Sequence, residues 1–245
     1  VTSKAAVEAA IGKLATTMRH CIEAHGNFEY VFSVDQEEAI NNLEHAFENK
    51  LEAFHTLYDV SKSLFAYQGY GDTAFIIALR NAIHHRDHAL FRSFRARIFL
   101  DDTPQRWNGA AFLLARHTTT HGGSIGMSHF LRLDDIDARL NPDLGSPALD
   151  AFAPKKAKAR FQLIDGELNL AELRMRGVGE RYPADQVYLD AMPIFVSAVC
   201  RVFKALKSAG MAFKGFDAEA YEGPFTDEID VDLQRLEFRM NRVLT

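Results

Sequence analysis

From Ile40 to Phe65 apolar residues return every three or four positions: Ile40, Leu43, Phe47, Leu51, Phe54, Leu57, Tyr58, Ser61, Leu64 and Phe65. Only a long amphipathic helix places all of them on one face, and such a helix must bury that stripe against others. Asp35, followed three residues on by Glu38, supplies a capping-box start, and Gly69 marks the expected stop. Before it, Val7, Ile11, Leu14, Met18, Cys21 and His25 form a second stripe, capped by Thr2 or Ser3 and ended by Gly26. A third helix starts at Asp72 and carries Phe75, Ile76, Leu79, Ala82, Ile83 and Leu90. Short connections make these three antiparallel neighbours in a bundle.

Beyond Phe91 the pattern changes. Phe94, Ala96, Ile98 and Leu100 alternate with arginines and Phe99, which predicts a strand. Phe112 to Arg116 and Met127 to Leu133 flank a Thr/Gly-rich loop and predict a hairpin, while Asn141 to Pro154, with three prolines, reads as a surface excursion. Arg160 to Leu173 fits either a hairpin at Asp165-Gly166 or a helical stripe. Pro183 opens a late apolar helix running to Leu206, kinked at Pro193, and the tail from Phe216 reads as a final helix. The expectation is one mainly α domain over 1–245, an antiparallel helical bundle with a small β element, in which 92–154 is an insertion or a β-containing excursion.

Charge narrows the chemistry. With 33 acidic against 28 basic residues the chain carries a net −5, which excludes a wholly basic coat for nucleic acid. Yet Arg80 through Arg97 holds five arginines against the single acid Asp87, a local +4. Cys21 and Cys200 sit in apolar helical patterns and predict reduced core thiols rather than a disulfide or a zinc site. His117 and His121 have the spacing of a helical metal pair, but glycines interrupt them and no H-E-x-x-H accompanies them, so no metal and no other cofactor is expected. His20, His25, His45 and His55 read as surface or core-edge side chains. The first residues lead into alanine-rich amphipathic sequence without a signal-peptide pattern, and no segment approaches a membrane span, which predicts a cytoplasmic protein with no membrane partner.

The stretch Arg80-Asn81-Ala82-Ile83-His84-His85-Arg86-Asp87-His88 stands out. On a helical wheel Arg80, Asn81, His84, His85 and His88 point away from the apolar stripe. Ile77 and Phe91 share their sector, which predicts a covered surface, an interface or a cleft.

Arg80-Asn81-Ala82-Ile83-His84-His85 resembles the RNxxxH (R-x4–6-H) motif of the HEPN superfamily of helical nucleic-acid-associated domains, over about residues 1–92 with the Pro183 helix completing the bundle. The resemblance implies a metal-independent endoribonuclease, a toxin or defence effector, in which the ribose 2′-hydroxyl attacks the adjacent phosphate. By position Arg80 would stabilise the phosphorane, His85 would move a proton and Asn81 would orient one of them. Guanidinium and imidazole are the right groups for these roles. Arg80 and His85 lie about 140° apart at ~100° per residue, whereas Arg80 and His84 are one turn apart, so either histidine is a candidate. Arg86, His88, Arg92 and Arg95 are the expected substrate-binding residues. The family also implies a homodimer with a composite cleft, RNA as partner and a cognate inhibitor protein. The alternative is a non-catalytic helical module that binds RNA, a nucleotide or a protein through the same basic face.

Overall fold

The computed structural model describes residues 3–84, 91–149 and 154–243, the side chains of 154 and 155 excepted. It is mainly helical with a small mixed sheet. Helices α1 (Lys4–Gly26), α2 (Phe28–Val34), α3 (Gln36–Ser61) and α4 (Gly71–His84) come first. The short α5 (Phe94–Ala96) leads to strands β1 (Ala111–His121) and β2 (Phe130–Arg132) and helix α6 (Leu133–Leu140). Helices α7 (Pro154–Glu167) and α8 (Leu170–Gly179), strand β3 (Val187–Asp190), helices α9 (Ala191–Ser208) and α10 (Phe216–Gly223), and strand β4 (Asp230–Arg242) complete the chain.

The capping signals act as their chemistry requires. Ser3 Oγ accepts from the Ala6 N–H and Asp35 Oδ1 from that of Glu38 at 3.0 Å. Helix α3 ends earlier than Gly69, because Ser61 Oγ turns back to the Leu57 carbonyl and contacts the Tyr67 hydroxyl at 2.7 Å. Leu64 and Phe65 extend the apolar pattern from the following turn. The first turn of α4 is tied to α9: Asp72, fully buried, accepts from the Thr73 N–H, from Ser197 Oγ at 2.8 Å and from Arg201 Nε at 3.1 Å.

Four regions differ from the sequence expectation, and one left open is settled. The Phe94–Leu100 stretch is helical, because Ser93 caps it through the Ala96 N–H at 3.2 Å and the chain widens so that Asp102 N–H reaches the Arg97 carbonyl at 3.1 Å. Segments 112–116 and 127–133 do contribute strands, but not as a hairpin. The sheet order is β2-β3-β1-β4, with β1 parallel to β3 and antiparallel to β4. Of the two alternatives for Arg160 to Leu173 the helical one holds, in α7 and α8. The late helix begins only at Ala191, after the buried β3, and is capped by Asp190 Oδ1 on the Met192 N–H at 3.0 Å. Pro193 therefore lies in its first turn, where no intrahelical hydrogen bond is lost. Finally, the tail is helical only in α10, and from Asp230 it is strand β4. Register breaks at His117/Thr118 and Thr119/His121 put Leu233 and Leu236 inward three residues apart, which imitates a helical stripe.

Leu113, Ala115, Leu131, Leu133 and Ile136, all within 92–154, share one apolar core with Leu14, Phe54 and Phe75 of the bundle. Both cysteines are free and buried. Among the described residues no helix is long and apolar enough to cross a membrane.

His117 on β1 is buried, its Nε2–H donating to the Leu168 carbonyl at 3.0 Å while Nδ1 has no partner among the described residues. Burial lowers its pKa from 6.5 to about 4. The folded chain therefore stays neutral there while the unfolded chain gains a proton below 6.5, so stability falls as pH drops through that window. His117→Gln is expected to flatten this acid limb by about 3 kcal/mol, read as urea-melt free energies against pH. An unchanged slope would remove His117 from the acid response.

Candidate functional site

The polar face of α4 meets α3 at one carboxylate. Glu52 Oε2 accepts from Arg80 Nη2 at 2.9 Å, and Glu52 Oε1 lies 3.6 Å from His84 Nδ1. Arg80 Nη1 also donates to Asn81 Oδ1 at 3.3 Å, while its Nε is buried without a partner among the described residues. The Arg80 side chain is 19% exposed and that of His84 59%, so the guanidinium is recessed and the imidazole open. Residues one turn apart on a helix point the same way, and here that geometry brings both onto Glu52.

His55, one turn beyond Glu52 on α3, completes the group. Its Nδ1 lies 3.3 Å from Asp59 Oδ2. Burial, followed by the positive charge of Arg80, holds the His55 pKa below its usual value, against the pull of Asp59 and Glu52. His55 and Asn81 line a cavity of about 650 Å³ between α3, α4 and α7. Tyr58, Lys62, Lys156 and Arg160 add an aromatic ring and three cations to its walls.

The proposed residues divide into three groups. Arg80, Asn81 and His84 stand together. His85, Arg86 and His88 lie outside the described residues. Arg92 pairs with Asp101 at 2.8 Å, and the Arg95 guanidinium sits 4.7 Å from the Phe28 ring centroid, beside a different cavity. Glu52 and His55 escape a motif reading centred on α4. The available signal is the recurrence of Glu52, His55 and Asp59 at three- and four-residue spacing on one face of α3.

The apolar residues flanking the polar sector are covered within the chain. Ile77 is 3% exposed and Phe91 4%, and α7 packs on α4, with Glu167 Oε2 accepting from the Gly71 N–H at 2.7 Å. A second copy is therefore not needed to bury Ile77. Neither does a metal centre emerge: among the described residues no three His, Cys, Asp or Glu side chains are grouped to hold an ion.

No family model, curated protein or solved structure matches the chain.

Proposed function

We propose that the cleft between α3 and α4 is a HEPN-like, metal-independent endoribonuclease site. The observation that supports this most is the convergence of Arg80 and His84 on Glu52 beside His55, at a cation-lined cavity of about 650 Å³. In this reading His55, kept neutral, removes the proton of a ribose 2′-hydroxyl. The oxygen attacks the adjacent phosphorus, and Arg80 takes the growing negative charge on the non-bridging oxygens. His84 gives a proton to the departing 5′-oxygen, so that a 2′,3′-cyclic phosphate and a 5′-hydroxyl remain. Lys62, Lys156 and Arg160 hold the flanking phosphates. Glu52 keeps Arg80 and His84 in register until phosphate displaces it.

A homodimer remains part of the proposal, with contact moved from Ile77 to the exposed His84 end of α4. A cognate inhibitor protein would close the same cavity. The toxin or defence role belongs to the same reading.

The Glu52 pairing favours a second reading. An arginine already neutralised by a carboxylate suits a non-catalytic helical module that holds RNA, a nucleotide or a protein.

The two separate in one assay, incubation of labelled RNA with protein in excess EDTA. Cleavage to cyclic-phosphate ends is expected, with His84→Ala and His55→Gln each slowing it by about 10²–10⁴-fold while RNA retention stays unchanged. RNA that is retained but uncut would select the binding module. RNA neither held nor cut would remove both.

A further inference from the structure

A second cavity, of about 220 Å³, lies between α3, the Ser93–Asp101 segment and the sheet. Its volume falls below the ~300–1,000 Å³ of sites for drug-sized ligands, so its occupant is small. Three aromatic residues, Phe94, Phe99 and Phe130, line it. Arg95, Arg239 and His129 line it as well.

The three polar groups differ in setting: His129 is buried, Arg95 half-buried and Arg239 exposed. His129 is only 4% exposed; its ring stacks on Phe47 at 3.6 Å between centroids, and among the described residues its ring nitrogens make no hydrogen bond. Burial and the ammonium of Lys50 hold His129 neutral, far below its usual pKa, which leaves one N–H donor and one acceptor. Neither Arg95 nor Arg239 has a carboxylate within ion-pair distance among the described residues. Arg95 is aimed by Phe28, whose ring it covers. Arg239, itself exposed, pairs in register with Leu114 on β1, and with Asn241 it shares the face of the sheet that borders the cavity.

Charged groups of both signs surround the cavity. Lys50, 1% exposed, lies behind His129, its ammonium 4.6 Å from the Phe47 centroid. Glu44 accepts from the Ser93 N–H at 3.3 Å, and burial raises its pKa; Asp190, fully buried, accepts from the His129 backbone N–H at 2.8 Å, and burial raises its pKa too.

We propose that this cavity binds a small anion built on a single flat ring, an aryl oxyanion whose charged head meets Arg95, Arg239 and His129 and whose ring packs among Phe94, Phe99 and Phe130. The head is a carboxylate or a phosphate, both of which the guanidinium fork accepts in two-point contact. The aromatic wall rejects a bare inorganic ion, because without a ring it leaves that wall uncovered. This inference stands apart from the Arg80 reading and survives if RNA is not cut.

Trp107 reports on the site. It is the only tryptophan, lies 5.4 Å from the Phe112 ring centroid and packs in the same aromatic cluster as Phe94, Phe99 and Phe130. The full chain is titrated with benzoate, phenyl phosphate, inorganic phosphate and benzyl alcohol, followed by Trp107 fluorescence and calorimetry. At least one ring anion is expected to bind saturably, and the tighter one identifies the head. Inorganic phosphate and the neutral alcohol should bind at least about tenfold more weakly. Arg95→Gln should weaken the ring anion by at least about tenfold, and so should Arg239→Gln, whose exposed strand position leaves the melting temperature unchanged. Absence of binding by both ring anions, equal binding of benzyl alcohol, or full affinity in a folded Arg239→Gln protein would each overturn the proposal.

Discussion

Arg80→Ala is expected to lower RNA cleavage by about 10³-fold, the loss typical of one charge-stabilising donor, while the protein stays folded. The mutation also removes the Glu52 ion pair. With Glu52 45% exposed, that pair is worth only about 1 kcal/mol or less. Arg80→Lys discriminates between charge and shape: it keeps the positive charge but not the planar fork, and should recover only a small part of the rate. Single-turnover cleavage together with thermal melting checks both. Cleavage at the normal rate by folded Arg80→Ala would end the assignment of Arg80 as the phosphate-facing group.

Asp72→Ala should act on the fold instead. Asp72 is fully buried and gathers three donors, the Thr73 N–H, Ser197 Oγ and Arg201 Nε, at the junction of α4 and α9. Removing the carboxylate leaves those donors facing a cavity, at a cost of about 3–5 kcal/mol. Arg201 is 35% exposed and its guanidinium sits 4.4 Å from the Tyr70 ring centroid, which places the effect toward the lower end. A urea midpoint within error of the parent would show that the junction is held by packing alone. Asp72→Asn tests the same point, because it keeps the shape and one acceptor while deleting the charge.

Helices α1, α3 and α4 are legible in sequence because each has its own complete apolar stripe and a local start signal. The sheet is not, since β1 draws one neighbour from Val187–Asp190 and the other from Asp230–Arg242. No window along the chain contains either pairing. Ser93 hides the helical state of Phe94 to Leu100 for a different reason: one cap hydrogen bond outweighs a period-two pattern only a few residues long. At the candidate site, Arg80, Asn81 and His84 are legible as a motif on one helix. Glu52 is missed because its relevance arises from the crossing of α3 over α4, and His55 because a lone histidine on an amphipathic helix usually faces water. The distinction between Arg95 and the Arg80 group is also tertiary. Of the described arginines in the +4 stretch, Arg80 pairs with Glu52, Arg92 with Asp101 and Arg97 with Asp135, while Arg95 lines the smaller cavity.

The central place of β1 has a consequence during synthesis. Leu113 is paired on one side with Val187 and on the other with Met240. The bundle helices α1, α3 and α4 leave the ribosome first and can associate, whereas Phe112, Leu113, Leu114 and Ala115 must wait for β3. At ~5–20 residues per second that wait lasts about 4–15 s, long enough for an apolar strand with two open edges to need shelter. The nascent chain is thus most exposed to misassembly between the completion of β1 and the arrival of β3, a window in which a holding chaperone would recognise the strand rather than the helices.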